Sequence, residues 1–249
     1  MAQKRRRVVI TGGSGAIGQA MCAAFAADGA DVAFTWYLNH RGRDATVEAI
    51  TASGGQALAI RASLRDKNGV GEIVSTVTEA WGGADVVISN AATGVLKSAM
   101  DFTDKHWRAV MDVNALAFLK LAQGFAPTMP SGGRLLALTS AGATSAIDNY
   151  ALVGASKAAL ESLVRHLAAE LGPRGITVNA ICPGVVDTPA LVHFPNREQL
   201  LSVATMRTPN GRLATPADVA DVALLLASPR AKMIQGQTIV VDGGYGILA

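Results

Sequence analysis

Cysteine, aromatic residues and long apolar runs are all scarce in this sequence. Only two of its 249 residues are cysteine, and 5% are aromatic. Cys22 and Cys182 lie far apart in apolar surroundings, so neither a disulfide framework nor a CxxC metal site is indicated. The basic start at 4–7 precedes a short apolar run at 8–10, which cannot serve as a signal peptide or a membrane span. We therefore expect a cytoplasmic protein with no membrane partner.

Charge is also scarce and carries no strong bias. Charged residues make up 16% of the chain and the formal net charge is +3, with the basic residues scattered. This pattern argues against nucleic-acid binding, because nucleic-acid-binding surfaces typically have clustered basic residues with interleaved aromatic rings. The four histidines form no recognisable metal-binding motif, so no metal site is predicted.

Half of the residues are hydrophobic, and they alternate between two kinds of segment. Short β-rich apolar runs are followed by longer segments with helical period. The predicted strands are 8–10, 32–36, 57–60, 86–89, 134–139, 177–181 and 238–241, and the predicted helices are 16–27, 43–51, 66–81, 103–124, 150–171 and 216–227. Strands separated by helices need crossover connections, which favours an α/β fold with a doubly wound, parallel sheet of about seven strands and helices on both faces. No linker interrupts the chain, so one domain over 1–249 is predicted.

A glycine-rich turn follows the first predicted strand and opens the first helix. Gly12 lets the backbone turn tightly, and the small residues Ala16 and Gly18 allow a ligand to approach the helix closely. Because exposed N–H groups at a helix N-terminus bind phosphate, this context predicts a Rossmann-type dinucleotide site rather than a turn used for packing alone. The predicted phosphate-binding residues are Gly12, Ser14, Gly15, Ala16, Ile17 and Gly18.

The residues after the second strand predict which dinucleotide binds. NAD sites usually carry an acidic residue there that binds the ribose 2'-hydroxyl, and none is present. The segment instead contains Tyr37, His40, Arg41 and Arg43, and Arg41 or Arg43 would attract a 2'-phosphate. NADPH is therefore predicted in preference to NADH. The alternative is that these arginines only begin a solvated helix.

Several separated motifs, in order along the chain, resemble the short-chain dehydrogenase/reductase family. They are the turn at 11–18, Ser89-Asn90-Ala91-Ala92, Asn114, and Pro183-Gly184 with Thr188. Within the family, the closest resemblance is to the bacterial enoyl-acyl-carrier-protein reductase III branch, in the segments 90–96, 106–107, 193–198 and 236–244. The resemblance implies further cofactor contacts at Ser63, Asn90, Ala91, Lys157, Pro183, Gly184, Val185, Val186 and Thr188.

The helix that resembles the family's catalytic helix has an unusual spacing. It carries Tyr150-x6-Lys157, whereas most of the family has Tyr-x3-Lys, and Val153 stands at the tyrosine position of the shorter pattern. Both spacings put the two residues on one helix face, but seven residues advance about 10 Å along the axis and four advance about 6 Å. The longer spacing resembles the enoyl reductases, which reduce a C=C bond conjugated to a thioester, rather than the ketoreductases.

The resemblance implies hydride transfer from NADPH to the β-carbon of an enoyl thioester. Tyr150 would stabilise the enolate oxygen, and Lys157 would hold the nicotinamide ribose and lower the pKa of the tyrosine. Ser140 would either orient the substrate carbonyl or close a turn. The alternatives are an NADPH-dependent ketoreductase or imine reductase, and a non-catalytic NADP-binding regulator, for which loss of Tyr150 or Lys157 would be typical.

Other expectations concern segments around the site. Asn114 is expected to mend a helix irregularity or hold a water rather than touch substrate. The long irregular stretch from Pro183 to about Leu201 is expected to belong to a substrate lid over about 183–206, in which His193 and Phe194 either pack the lid or contact the acyl chain. The tail at 241–244 resembles a family contact and implies a homotetramer. The acyl group could be carried by an acyl carrier protein or by coenzyme A.

Two residues depart from the family pattern at the predicted cofactor site. Gly15 stands where NADPH-using members often carry a basic residue, which weakens the preference for NADPH. Ser63 replaces an aspartate that usually contacts the adenine amine, and its hydroxyl accepts a hydrogen bond without charge assistance.

Overall fold

Seven apolar segments form one parallel sheet in a computed structural model of the protein, which describes residues 5–189, 191 and 197–248. The strands are β1 (Arg7–Ile10), β2 (Asp31–Trp36), β3 (Ala57–Arg61), β4 (Val86–Ser89), β5 (Arg134–Leu138), β6 (Thr177–Pro183) and β7 (Thr238–Val241). Their order in the sheet is β3-β2-β1-β4-β5-β6-β7, and every neighbouring pair is parallel. The predicted seven-stranded parallel sheet is confirmed.

Helices cover both faces of the sheet, as predicted for a doubly wound fold. They are α1 (Ala16–Ala27), α2 (His40–Ala52), α3 (Gly69–Trp81), α4 (Asp104–Met111), α5 (Ala117–Phe125), α6 (Ala151–Leu171), α7 (Arg197–Arg207) and α8 (Pro216–Ala227). One core cluster joins the sheet to α3, α5 and α6, and a second joins it to α1, α2 and α8. Side chains alternate along each strand, so Val9 enters the first cluster while Val8 and Ile10 enter the second.

The predicted helix at 103–124 is interrupted, which corrects the expectation of one continuous helix. A π-helical turn over Asp112–Leu116 separates α4 from α5. Asn114 lies in this turn with 2% of its surface exposed. The turn is the helix irregularity expected at Asn114, but the side-chain amide binds the Thr93 backbone and the Ser156 hydroxyl rather than backbone groups of the turn itself.

The predicted irregular stretch ends earlier than expected. Strand β6 continues through Pro183, and helix α7 begins at Arg197 rather than after Leu201. Glu198 in the first turn and Arg207 in the last turn both complement the helix dipole, while only Ala204 is buried among the described side chains of α7. Because α7 has almost no periodic pattern of apolar residues, hydrophobic periodicity in the sequence does not predict it. His193, Phe194 and the rest of 192–196 lie outside the described residues.

Within the part of the chain that the structure describes, no helix combines the length and the apolar character needed to cross a membrane. The longest, α6, carries Lys157, Glu161, Arg165 and Glu170.

Candidate active site

The predicted site residues follow the carboxyl ends of six different strands. Because the strands are parallel, these ends meet at one edge of the sheet. The residues are Gly12 and Ser14 to Gly18 after β1, Tyr37, His40 and Arg41 after β2, Ser63 after β3, Asn90 and Ala91 after β4, Ser140 after β5, and Pro183 to Val186 and Thr188 at and after the end of β6. Tyr150 and Lys157 join them from the start of α6. The fold therefore brings the predicted residues to one edge, while their individual roles stay predictions.

The glycine-rich turn is held by β2 and by the loop after β4. Gly12 has φ +68°, and its N–H donates to Thr35 Oγ1 at 2.9 Å. The Asn90 amide donates to the carbonyls of Thr11 and Gly12, at 2.8 and 3.2 Å. A side chain at Gly12 would lie 3.0 Å from Ala91, so the turn needs glycine for both conformation and space. Asn90 thus shapes the turn from the neighbouring strand.

The N-terminus of α1 meets this turn with its backbone donors free of side-chain caps. Among the described residues, no side chain accepts a hydrogen bond at the cap position Gly15, and no acidic residue lies in the first turn. Uncapped N–H groups and a helix dipole favour an anion at this position. The donors present therefore fit a pyrophosphate.

The start of α2 closes tightly over the turn. Asn39 caps α2 by accepting from the Gly42 N–H at 2.9 Å, and its amide donates to the Ser14 carbonyl at 2.7 Å. A Cβ at Gly42 would stand 2.2 Å from that carbonyl oxygen. The cap explains why α2 begins at His40 rather than at Arg43 as predicted. It also places the residues after β2 beside Ser14.

Two arginine side chains lie against the ring of Trp36, the last residue of β2. The Arg43 guanidinium lies 4.7 Å from the Trp36 ring centroid and the Arg61 guanidinium 5.7 Å, and His40 meets the ring edge-on. Arg61 also lies 5.9 Å from the Tyr37 ring. Arg61 was missed in the sequence, although the in-register pairing of β2 with β3 puts it opposite Trp36. Arg41 is exposed and is not part of this cluster.

The two clustered arginines differ in their partners. Arg43 Nη2 lies 2.6 Å from Asp44 Oδ1. No carboxylate of the described residues lies within ion-pair distance of Arg61, so its charge is not neutralised locally. Ser63, two residues further on, accepts a bond from the Arg65 N–H at 3.3 Å. The cluster of Trp36, Arg43 and Arg61 therefore presents positive charge next to the predicted 2'-phosphate position.

Tyr150 contacts Ser140 at the mouth of the site. The phenol donates to Ser140 Oγ at 3.4 Å. The preceding residue, Asn149, has φ +57°, and Gly142 leaves space for the tyrosine ring, since a Cβ there would stand 2.6 Å from Tyr150 Cδ1. Burial raises the pKa of Tyr150, and the hydrogen bond with Ser140 opposes that rise. The phenol therefore keeps its proton at neutral pH.

Lys157 is buried beneath Tyr150 on the same helix face. Its ammonium donates to the Leu138 carbonyl at 2.7 Å, and only 6% of its surface is exposed. Burial lowers the pKa of Lys157 to about 8. Cys182, at the end of β6, is close enough to influence the pKa of both Tyr150 and Lys157. The three side chains therefore surround one small region at the ends of β5 and β6.

Val153, which occupies the tyrosine position of the shorter family pattern, is buried. It is 4% exposed, and its Cγ2 lies 3.0 Å from where a Cβ on Gly94 would stand. The loop after β4 thus covers Val153. Tyr150, and not position 153, supplies the hydroxyl that meets Ser140.

Asn114 joins the loop after β4 to α6. Its Oδ1 accepts from the Thr93 N–H, and its Nδ2 donates to the Thr93 carbonyl and to Ser156 Oγ, each at 2.9 Å. Ser156 is fully buried and precedes Lys157. Asn114 thus holds the loop after β4 against α6.

The predicted nicotinamide loop is held by β7 and by the segment before α8. Gly184 donates its N–H to the Val241 carbonyl at 2.9 Å, and a Cβ on Gly184 would stand 2.7 Å from Asp242 Cβ. Val186 pairs with Ala214.

Among the described residues, no group of three histidine, cysteine or carboxylate side chains is arranged to hold a metal ion.

Comparison with known proteins matches this arrangement. Residues 12–246 fit the family model described as Enoyl-(Acyl carrier protein) reductase. The chain is 35% identical to the 1-cyclohexenylcarbonyl-CoA reductase of Streptomyces collinus over 250 residues, covering all of this chain and 89% of that protein. It is 34% identical to the 7alpha-hydroxysteroid dehydrogenase of Escherichia coli, covering 95% of this chain and 92% of that protein.

Solved structures match over nearly the full length. A short chain dehydrogenase from Burkholderia cenocepacia in complex with NADP superposes with a TM-score of 0.89 at 35% identity, covering 97% of this chain and 98% of that one. The L-sorbose reductase of Gluconobacter frateurii, complexed with NADPH and L-sorbose, has a TM-score of 0.90 at 28% identity and covers 100% of this chain and 99% of that one.

Replacing Gly42 with alanine tests the close approach of α2 to the turn. We expect Gly42→Ala to lower the free energy of unfolding by about 1–3 kcal/mol, because the new methyl group overlaps the Ser14 carbonyl. Gly71→Ala, at an exposed helical glycine with open space around it, is the matched control and should raise that free energy by about 0.5–1 kcal/mol. Chemical denaturation measures both, and equal effects of the two changes would contradict the proposed contact.

The burial of Lys157 predicts a pH dependence of stability. Its pKa is about 8 in the folded protein and 10.5 when exposed, so between these values the unfolded chain binds more protons and the free energy of unfolding rises with pH. Denaturation of the protein and of Lys157→Met across this range isolates the effect, since other buried groups titrate in both. We expect the difference in free energy of unfolding between the two proteins to change by about 3 kcal/mol across this range, and parallel curves would refute the burial argument.

Proposed function

Since the chain belongs to the short-chain dehydrogenase/reductase family and is an NAD(P)H-dependent oxidoreductase, we propose that it uses NADPH to reduce the C=C bond of an enoyl thioester. The observation that carries this proposal is the pairing of Tyr150 with Ser140, seven residues before Lys157, while Val153 is buried under the loop after β4. The reactive hydroxyl therefore comes from the longer spacing.

The position of this hydroxyl separates two reactions. In carbonyl reduction, the oxygen that accepts a proton is bonded to the carbon that accepts hydride. In enoyl reduction, hydride adds to the β-carbon, and the negative charge develops on the thioester oxygen, three bonds away. A hydroxyl placed one helical turn further from Lys157 suits the more distant oxygen. The spacing at Tyr150 thus supports reduction of the C=C bond.

The side chains of the site fit the role of holding that oxygen. NADPH, when bound, supplies the hydride. The Tyr150 phenol, whose pKa is raised by burial, stays protonated and donates a hydrogen bond to the developing enolate oxygen. Lys157 would hold the nicotinamide ribose and thereby the orientation of the ring. Ser140 holds the phenol from the side of β5.

The cofactor site fits a dinucleotide that carries a 2'-phosphate. The uncapped N-terminus of α1 fits the pyrophosphate, and the space around Gly12 permits its approach. The Trp36, Arg43 and Arg61 cluster stands where NAD-binding proteins place a carboxylate. The solved relatives bound to NADP or NADPH support the same preference.

A carbonyl reductase is the second candidate. Among the relatives are a 7alpha-hydroxysteroid dehydrogenase and an L-sorbose reductase, at 34% and 28% identity. These names support a ketone as the acceptor, and an imine would accept hydride and a proton in the same way. The match to the family of enoyl reductases and to a coenzyme A thioester reductase favours the first candidate.

Further properties belong to the same proposal. The acyl group is carried by coenzyme A, as the name of the Streptomyces collinus relative suggests, or by an acyl carrier protein. One domain spans 1–249, with a substrate lid over about 183–206 that includes most of α7. The protein works in the cytoplasm as a homotetramer. Val240 on the edge strand β7 is 58% exposed, which leaves a surface for contact with a second copy.

Two acceptors offered in parallel test the reaction. With NADPH, we expect a short trans-2-enoyl thioester to consume cofactor while its 3-oxo counterpart does not, measured as loss of cofactor absorbance. Tyr150→Phe removes the donor to the enolate oxygen and should lower kcat by about 10²–10³-fold, the loss typical of one such donor. Consumption with the 3-oxo thioester alone would reject the enoyl assignment and favour the ketoreductase.

Replacing the clustered arginines tests the cofactor preference. We expect Arg61→Gln to raise the Kd for NADPH by about 10–100-fold and to leave the Kd for NADH within about 2-fold, because the lost bond reaches a phosphate that only NADPH carries. Arg230→Gln, on an exposed turn remote in sequence from β2 and β3, is the control. Direct binding titration measures these values, and an equal loss for both cofactors would show that Arg61 only supports the fold.

A further inference from the structure

Three consecutive residues at the end of β5 are each bound by a different side chain of the α6 region. Lys157 donates to the Leu138 carbonyl at 2.7 Å, and Tyr150 donates to Ser140 Oγ at 3.4 Å. Between them, Thr139 Oγ1 donates to Glu161 Oε1 at 2.8 Å. The first two bonds belong to the proposed catalytic pair. The third has no role in the function proposed above.

The spacing of the three side chains explains how they reach one strand end. Lys157 follows Tyr150 by seven residues, and Glu161 follows Lys157 by four. At 3.6 residues per turn, both steps return to nearly the same direction, so the three lie along one face of the helix. That face lies against the carboxyl end of β5. Glu161 is therefore the third member of one row.

The Glu161 carboxylate is buried, which is costly unless the charge has a specific partner. Glu161 is 8% exposed and Thr139 is 5% exposed. An apolar residue at 161 would pack without the desolvation cost that a carboxylate carries. Thr139 is also held from the other side, because its N–H donates to the Ile181 carbonyl at 2.8 Å. The bond to Glu161 thus completes the anchoring of Thr139, directly before Ser140.

Glu161 also lies near the reacting groups. The pKa of Cys182 is raised to about 11, chiefly by burial and then by the charges of Glu161 and Asp242, while Lys157 opposes the rise. The same thiol influences the pKa of Tyr150 and of Lys157. Glu161 therefore borders the region that Tyr150, Lys157 and Cys182 share.

We propose that Glu161 is a positioning residue, which holds Thr139 and through it keeps Ser140 in hydrogen-bonding contact with Tyr150. The proposal rests on the proposed function only in taking Tyr150 as the reacting tyrosine. Loss of the Glu161–Thr139 bond would let the end of β5 move and would lengthen the contact of Ser140 with the phenol. Displacements of about 1 Å at such a contact cost about 10²-fold in rate.

The contact between Ser140 and Tyr150 has a signature that needs no substrate. The bond to Ser140 lowers the pKa of Tyr150, against the larger rise caused by burial. Any change that displaces Ser140 therefore raises the pKa of Tyr150 further. Tyrosinate absorbance during a pH titration reports this pKa, and subtraction of a Tyr150→Phe titration removes the signals of Tyr37 and Tyr245.

The test compares disruptive and conservative changes at both ends of the bond. We expect Thr139→Val and Glu161→Met to raise the pKa of Tyr150 in the direction of a Ser140→Ala reference, and to lower kcat by about 10–100-fold with KM within about 3-fold. Thr139→Ser and Glu161→Gln keep a donor and an acceptor, so both should stay close to the wild-type protein. Should Glu161→Met fail to fold, Thr139→Val still decides, since it removes only the hydroxyl.

A core variant separates positioning from general loss of stability. Val164→Ala, at a buried position one turn further along α6, should lower the melting temperature without changing the Tyr150 titration or kcat. A wild-type titration and kcat in folded Thr139→Val and Glu161→Met would overturn the proposal. The rates are taken on whichever acceptor the wild-type protein reduces. A failed enoyl assignment therefore leaves the titration result intact, and a failed titration leaves the enoyl assignment intact.

Discussion

The parallel direction of all seven strands is the constraint on which the rest of the site depends. Each strand returns through a crossover, so every loop that leaves a strand emerges at the same edge of the sheet. Strand order reverses between β1 and β4, which is the position where open parallel sheets bind ligands. Thr11 joins them, since its hydroxyl accepts from the N–H groups of Asn90 and Ala91, each at 3.0 Å. The glycine-rich turn and the loop after β4 are therefore built as one unit.

At that edge, glycine residues allow the helices α2 and α6 to approach neighbouring loops closely. Gly42 brings α2 against the Ser14 carbonyl, and Gly154 brings α6 against the Gly142 carbonyl, where a Cβ would stand at 2.2 and 2.4 Å. The first approach places the residues after β2 beside the phosphate turn. The second places Tyr150 beside Ser140. Backbone contacts between segments distant in sequence thus set the positions of the site residues to within a few tenths of an ångström.

Burial then shifts the protonation of Tyr150 and Lys157. It raises the pKa of Tyr150 and lowers that of Lys157, so both side chains are pushed toward their uncharged forms. A protonated phenol is the form that donates a hydrogen bond to a developing oxyanion. Lys157 at a pKa of about 8 still carries its charge on most molecules at neutral pH. The site therefore combines a neutral donor with a cation in a region of low dielectric constant.

Local patterns in the sequence by themselves determined the strands, most helices and the glycine-rich turn, while the resemblance to a known family pointed to the pair Tyr150 and Lys157. Helices α1 and α8 and strands β4 and β7 have the predicted bounds, because periodicity and glycine placement act within one segment. Only the tertiary structure decided that Arg61 stands opposite Trp36, that the loop after β4 covers Val153, and that Glu161 binds Thr139. These contacts join residues that are 22 or more positions apart in the sequence. They depend on the register of the strands and on the packing of helices on the sheet, and the whole core sets both. The sequence thus specified the chemical groups of the site, and packing between distant segments specified which of them meet.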